Sequence, residues 1–258
     1  MILQKDKIES AFSQAAKTYD AHADIQKESA ARLMLLLENI DPTSILEVGG
    51  ATGNYTIQLS ERFPKASITS VDFSPAMIEI AKTKLFGNSH VNFICRDAEK
   101  LLNETDKMYG LITSNAALQW FTDINNSLIN IKKLLSPHGI FLFSVFGPQT
   151  FHELSNALDH IYGRPITLPA HSFSQEEKLL SMLHDIFERV VLEEVNLTRK
   201  YASTLELLRH IKKTGATGGR PSLSLNKSML RTMDDWFKQN HGECTATYQL
   251  FFVTARNK

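Results

Sequence analysis

The sequence lacks several features that would narrow the class of this protein at once. Its 258 residues contain no apolar run long enough to cross a membrane and no apolar N-terminal signal core, so we expect no membrane association and a cytoplasmic location. The two cysteines, Cys95 and Cys244, have no metal or redox spacing, which fits a reducing compartment and predicts no metal site. With 28 basic and 28 acidic residues the formal net charge is zero, so the overall charge does not indicate a nucleic-acid partner.

Apolar strand patterns alternate with helical patterns up to residue 146, which predicts a mostly parallel sheet covered on both faces. The predicted helices are 5–18, 24–39, 53–63, 75–86, 123–135, 150–162, 174–187, 204–214 and 226–240. The predicted strands are 44–49, 66–72, 91–95, 108–114, 140–146, 190–201 and 245–255. We therefore predict a doubly wound, Rossmann-like α/β domain with a seven-stranded sheet. It spans 1–258, with an N-terminal helical lid at 1–40 and helical cap segments at 150–188 and 203–241.

The most informative stretch is a glycine-rich turn between the first predicted strand and the helix after it. Gly49, Gly50 and Gly53 follow the apolar run 44–48, and such a turn leaves backbone N–H groups facing a ligand. The next predicted strand ends in Asp72, about twenty residues further on, where an acid holds a ribose diol. The two features together predict a nucleotide-like ligand at the strand ends.

The turn does not fit the dinucleotide-binding pattern G-x-G-x-x-G. It resembles instead the E-x-G-x-G-x-G loop of S-adenosylmethionine methyltransferases, with Glu47 as the leading acid. Ala51 stands at the middle glycine position, which leaves open whether cofactor binding is weaker here. A glycine-bearing turn without any ligand is the structural alternative.

Two further strand ends complete the predicted cofactor site, since strand ends of one parallel sheet lie side by side. Asp97 can accept a hydrogen bond from an adenine amino group, and Ala98 offers a backbone N–H beside it. Asn115 offers a donor and an acceptor after the fourth strand. The remaining residues assigned to the cofactor site are Phe73, Met77 and Trp120.

Four segments carry a closer resemblance, and together they span nearly the whole chain. Residues 11–23 (AFSQAAKTYDAHA), 115–120 (NAALQW), 208–216 (LRHIKKTGA) and 247–251 (TYQLF) resemble the malonyl-acyl-carrier-protein O-methyltransferases of biotin synthesis. The resemblance implies a class I methyltransferase fold and S-adenosylmethionine as cofactor. It also implies methyl transfer to the free carboxylate of a malonyl thioester, which starts pimeloyl and biotin synthesis.

The implied chemistry needs neither a metal nor a general base. A malonyl carboxylate is already ionised near neutral pH, so the protein has to align it with the methyl donor and exclude water. A fixed arginine can orient a carboxylate through two hydrogen bonds, and the resemblance makes Arg209 the candidate, with Tyr248 beside it. Tyr19 is the second candidate catalytic residue, because an N-terminal lid would close it over the cofactor; the same argument is weaker for His22.

Charge is distributed unevenly in the second half of the chain. Residues 195–231 hold eight lysines and arginines and one acid, Glu206. Arg209, Lys212 and Lys213 fall on one face of one predicted helix. Acyl-carrier proteins are acidic, so this face would attract the malonyl carrier, although malonyl-coenzyme A stays open as the substrate. A solvated surface without a partner is the plain alternative.

Two other functions stay open on the residues alone. One is a different small-molecule methyltransferase, acting on a trans-aconitate-like carboxylate or on a quinone ring; a quinone enzyme would show an apolar cap rather than a basic one. The other is a non-catalytic assembly factor that keeps the fold, for which Ala51 in the glycine turn would be the sequence trace. The acids at the strand ends, Asp72 and Asp97, favour a functional cofactor site over the second.

Overall fold

A computed structural model describes residues 5–38, 40–218 and 225–257. Its helices are α1 Lys5–His22, α2 Asp24–Leu35, α3 Asn54–Arg62, α4 Pro75–Lys84, α5 Ala98–Glu104, α6 Ile124–Leu134, α7 His152–Tyr162, α8 Glu176–Ile186, α9 Thr204–Lys213 and α10 Lys227–His241. Its strands are β1 Ser44–Val48, β2 Ser67–Asp72, β3 Val91–Cys95, β4 Tyr109–Asn115, β5 Leu135–Phe146, β6 Arg189–Tyr201 and β7 Cys244–Arg256. Short 3-10 turns lie at Leu118–Trp120 and Pro169–Ser172.

The seven strands form one sheet in the order β3-β2-β1-β4-β5-β7-β6. β1 to β5 pair in parallel, and β7 runs antiparallel between β5 and β6. The order reverses at β1, with β2 on one side and β4 on the other. The carboxyl ends of those strands form a crevice there, which is where ligands bind in open α/β sheets.

The middle strands are apolar because helices cover both of their faces. Ile45, Leu111 and Leu142 belong to one buried cluster, and Leu46, Ile112 and Phe141 to another, as expected when successive side chains point to opposite faces. The crevice therefore rests on a fully packed base. A base of this kind holds the residues at the strand ends in fixed positions.

The seven-stranded, mostly parallel sheet predicted from the sequence is confirmed. Two details differ. Helix α5 was not predicted, because it is only seven residues long; Asp97 caps its start by accepting from the backbone N–H of Glu99. Strand β5 begins at Leu135 rather than residue 140, because Leu135 pairs with Tyr109 across an irregular register.

Candidate active site

A narrow slot opens at the carboxyl ends of the central strands, beneath helix α1. Most of the residues that the sequence analysis assigned to the cofactor lie on its wall. They include Tyr19, Gly49, Ala51, Asp72, Phe73, Met77, Asp97, Ala98, Asn115 and Trp120. The slot is apolar apart from a few polar groups spaced along the strand ends, which is the usual make-up of a small-molecule site.

Asp72 ends β2 inside this slot and is buried. Its carboxylate accepts from the backbone N–H of Ala51 (2.9 Å) and of Ser74 (2.8 Å), which fixes its orientation. Burial raises the pKa of Asp72 to about 6, although the hydrogen bonds from Ser74 and Ala51 act in the opposite direction. The group is therefore ionised at neutral pH and can accept hydroxyl hydrogen bonds.

Glu47, Gly50 and Gly53 lie behind the described wall of the slot rather than on it. Burial raises the pKa of Glu47 to about 7, against the hydrogen bond that Thr56 Oγ1 donates to it at 2.5 Å. A Cβ on Gly50 would lie 2.1 Å from Ser70 Oγ. These residues pack the glycine turn closely against neighbouring side chains, and contact between them and the cofactor stays a prediction.

The backbone conformation of the turn shows why alanine at position 51 is strained. Its φ is +45°, a conformation in which an L side chain is strained, and its N–H is needed by Asp72. We expect Ala51→Gly to keep the fold and to bind cofactor at least as tightly as the parent. Cofactor titration and thermal melting of both proteins test this, and markedly weaker binding by the glycine variant would mean that the methyl group of Ala51 touches the ligand.

The far end of the slot is closed by a residue that the sequence analysis did not assign. Lys5, at the start of α1, binds both carboxylate oxygens of Asp97 at 2.7 Å and also pairs with Glu99. Asp97 in turn caps α5. The carboxylate proposed for adenine is thus positioned and neutralised by Lys5 of helix α1, which no local sequence pattern predicts.

Asn115 lines the slot, but its side-chain amide is already used within the protein. Nδ2 donates to the carbonyl of Gln26 (2.9 Å), and Oδ1 accepts from Ser144 Oγ (2.9 Å). Ser29 Oγ donates to Ser144 Oγ, so the chain of bonds continues into α2. These bonds tie α2 to β4 and β5, and contact between Asn115 and a ligand stays a prediction.

Two faces of helix α1 line two different cavities. Lys5, Phe12 and Tyr19, spaced seven residues apart, line the slot. The adjacent face lines a second, larger cavity through Lys7, Ser10, Ala11, Gln14, Ala15 and Thr18. The helix is therefore a common wall between two cavities.

Asp20 anchors the other end of α1 to the glycine turn. Its carboxylate accepts from Thr52 Oγ1 (2.6 Å) and Asn54 Nδ2 (2.9 Å) and pairs with Lys84 (2.6 Å). Burial would raise the pKa of Asp20, but the bonds from Lys84, Thr52 and Asn54 outweigh it and lower the pKa. Together with Lys5, Asp20 fixes both ends of helix α1 over the slot.

The second cavity has a volume of about 1010 Å³ and is lined by α1, α7, the segment 166–173 and α9. Arg209, Lys212, Lys213 and Tyr248 all line it. The three cations are exposed, and among the described residues no carboxylate pairs with them. Helix α8, which was assigned to the cap, contacts α6 and β6 and does not contribute to the described wall of this cavity.

Tyr248 and His22 are held in a polar cluster around α9. Tyr248 is buried and hydrogen-bonded to the hydroxyl of Tyr201 at 2.7 Å. His22 does not reach the slot; its ring lies edge-on to His210, with 5.5 Å between centroids. His210 faces Asp24 at 3.4 Å, and burial lowers the pKa of His210. This cluster joins the α1–α2 junction to α9.

Trp120 is the one described side chain that lines both the slot and the large cavity. It is mostly buried, and its ring lies edge-on to Phe12 (5.9 Å) and to Phe173 (5.4 Å). Trp120 therefore belongs to a wall that the slot and the large cavity share.

Membrane-spanning helices and metal-binding clusters are both absent from the described ranges. No helix within 5–38, 40–218 or 225–257 is both long and apolar enough to cross a membrane. The same residues contain no cluster of three or more His, Cys, Asp or Glu side chains arranged to hold a metal ion.

The sheet order, the glycine turn and the acid at the end of β2 define a class I methyltransferase. Residues 46–143 match the family model described as "Methyltransferase domain". The chain belongs to the malonyl-[acyl-carrier protein] O-methyltransferase family: it is 34% identical over 275 aligned residues to a protein of that name from Acetivibrio thermocellus, covering 100% of this chain and 95% of the relative.

Solved structures support the fold at much lower identity. The YcgJ protein from Bacillus subtilis superposes with a TM-score of 0.62 at 16% identity, covering 90% of this chain and 98% of that one. A phosphoethanolamine N-methyltransferase 2 from Haemonchus contortus, in complex with S-adenosyl-L-methionine, gives 0.57 at 14% identity, with 90% and 53% covered. These similarities concern the architecture of the sheet and its helices.

Proposed function

We propose that this protein transfers a methyl group from S-adenosylmethionine to the free carboxylate of a malonyl thioester. The observation that carries the proposal is that a slot containing Asp72 at the strand ends shares the wall residue Trp120 with a larger cavity lined by exposed cations. The relatives named malonyl-[acyl-carrier protein] O-methyltransferase support the same acceptor. The product is a methyl ester, which masks the carboxylate charge.

The residues along the slot suit S-adenosylmethionine, which supplies a methyl group already activated on a sulfonium. Asp72 is placed to accept hydrogen bonds from the ribose hydroxyls, because its carboxylate is ionised and held by two backbone N–H groups. We assign Asp97 and Ala98 to the adenine end and Phe73 and Met77 to apolar contacts, and all four line the slot. Gly49 has φ +77°, and a Cβ there would lie 2.2 Å from Ala117 Cβ, so the strand ends come together closely only with glycine.

The acceptor needs orientation more than activation. Its carboxylate is ionised at neutral pH, so no side chain has to remove a proton. Arg209 lines the large cavity without a competing described carboxylate, and its guanidinium can hold both acceptor oxygens. Tyr248 and Tyr19 are the other groups proposed near the reacting end, on the acceptor side and the cofactor side respectively.

The acyl-carrier protein is the proposed bearer of the malonyl group. Lys7 on α1 and Lys212 and Lys213 on α9 stand on the edge of the same cavity from two different helices. Thr18 Oγ1 donates to the carbonyl of Lys213 at 3.0 Å, which fixes the two helices relative to each other. An acidic carrier surface would meet all three cations together. Arg220, another cation of the basic stretch 195–231, lies outside the described residues.

The test of the proposal is a direct assay. The protein is incubated with labelled S-adenosylmethionine and malonyl-carrier protein, and the carrier is then analysed by mass spectrometry. One added methyl group on the malonyl carboxylate is the expected result. Unmodified carrier, under conditions where the protein binds the cofactor, would contradict the proposed acceptor while leaving the methyltransferase class intact.

Carrier attraction by α9 makes a separate prediction. Replacing Lys212 and Lys213 together by Glu should reduce methylation of malonyl-carrier protein more than that of malonyl-coenzyme A, because the carrier presents the larger acidic surface. The defect should shrink as salt is raised, since exposed charges are screened with a Debye length of about 10 Å at 0.1 M salt. The measurement is kcat/KM for both substrates over a salt series.

The matched control is the double variant Lys65→Glu and Lys178→Glu, which makes the same change in net charge at exposed sites on α3–β2 and α8. It should behave like the parent. Equal, salt-independent losses on both substrates in the Lys212 and Lys213 variant would contradict the attraction of the carrier by these residues.

A further inference from the structure

The boundary between the slot and the large cavity is aromatic. Trp120 lines both cavities, and Phe12, which lines the slot, lies edge-on to it. Ala11, next to Phe12 in the chain, lines the large cavity, so Phe12 stands at the edge of the shared wall. On its other side Phe12 packs against Gly215, where a Cβ would lie 2.8 Å from Phe12 Cδ1.

The geometry of methyl transfer restricts where the sulfonium can lie. The donor sulfur, the methyl carbon and the acceptor oxygen must be in line and in contact, with reacting atoms about 3–3.5 Å apart. The acceptor reaches the donor from the large cavity, so the sulfur must lie where that cavity meets the slot. Trp120 marks that place, and Phe12 is its aromatic neighbour.

Three carboxylates that the structure describes at or beside the slot already have partners, and Glu9, which faces Asp72, accepts from Ser13 Oγ at 3.4 Å. Asp97 is paired with Lys5, Asp20 with Lys84, and Asp72 accepts from two backbone N–H groups at the ribose position. The positive charge of a sulfonium at the boundary would therefore meet aromatic rings. Such rings carry a negative potential on their faces and attract cations.

We propose that Phe12 and Trp120 form an aromatic cradle that holds the sulfonium of S-adenosylmethionine at the boundary between the two cavities. Phe12 was not among the cofactor-site residues predicted from the sequence, and the proposal adds it to them. The cradle favours the charged methyl donor over its demethylated product, which is a neutral thioether. It thereby assists product release after each transfer. The proposal depends on the cofactor and not on which carboxylate accepts the methyl group.

The experiment compares the dissociation constants of the donor and of S-adenosylhomocysteine by calorimetry. Replacing Phe12 by Leu keeps an apolar side chain but removes the ring, so affinity for the donor should fall about five- to tenfold, while that for the product stays within about twofold. Phe12→Tyr keeps the ring and should restore the donor affinity. Equal losses for both ligands, or no loss for either, would overturn the cradle.

Phe73 supplies the matched control. Its ring lines the same slot, with its centroid 6.2 Å from that of Phe12, but it does not line the large cavity. Phe73→Leu should weaken donor and product alike. If Phe12→Leu fails to fold, Phe12→Met is measured instead, since methionine fills irregular apolar gaps. The proposal would be contradicted if the Phe12→Met variant had the same ratio of donor to product affinity as the parent.

Discussion

Replacing Arg209 by Ala is expected to lower kcat/KM for malonyl-carrier protein about 10- to 100-fold, because a two-pronged charge-assisted hydrogen bond to the acceptor is lost. Malonyl-coenzyme A carries the same carboxylate, so its methylation should fall by the same factor. Binding of S-adenosylmethionine should be unchanged, since Arg209 lines the large cavity and not the slot. Steady-state kinetics on both substrates, with cofactor calorimetry, measure this.

Arg231→Ala is the control for that experiment. Arg231 is an exposed cation in the same basic stretch, but it is not among the residues that line the cavity. Its loss should leave kcat/KM near the parent value. Normal activity in the Arg209 variant would mean that another group of the cavity wall orients the acceptor carboxylate. Tyr248 and Lys212 are the next candidates.

Asp72→Ala is expected to weaken cofactor binding by about 1–3 kcal/mol, the range for a lost hydrogen bond to a charged group. In the parent, affinity should also fall as the pH drops through about 6, because protonation of Asp72 converts an acceptor-only carboxylate into a group that donates. Calorimetry between pH 5 and 8 on both proteins tests this. Unchanged cofactor affinity in the Asp72→Ala variant would show that Asp72 does not hold the cofactor.

Affinity falls with pH because the ionised form of Asp72 binds, and the raised pKa sets the pH range in which the loss occurs. The pKa of Asp72 is raised above its ordinary value by burial, so protonation begins at a higher pH than in an exposed aspartate. Above about pH 6 the ionised form predominates and binds. Asp72→Asn, which cannot ionise, should bind weakly across the whole range and lose the pH dependence in this window.

The sheet could be predicted from the sequence because its strands are short apolar runs separated by strong helix and turn signals. Pro75 behind Ser74 is one such signal: Ser74 Oγ accepts from the N–H of Met77 at the start of α4. Asp72 could be predicted for a similar reason, since its distance from the glycine turn is set by one helix and one strand. Local patterns of this kind determine where a side chain sits along a strand.

The parts of the site that could not be predicted depend on contacts between distant segments. Lys5 binds Asp97 across 92 positions of sequence, and Asn115 bonds the backbone of Gln26 across 89. Glu47 has the chemistry of a ligand group, yet the tertiary packing buries it behind the turn. Phe12, Lys5 and Tyr19 do share a seven-residue spacing on α1, which was the available signal for a ligand-facing stripe.

Because α1 forms a wall of both cavities and is fastened at each end by Lys5 and Asp20, the two ligands share one structural element. A ligand beneath the helix that shifted α1 would alter the other cavity as well. Thermodynamic linkage would then require reciprocity: the factor by which the cofactor alters acceptor affinity equals the factor by which the acceptor alters cofactor affinity.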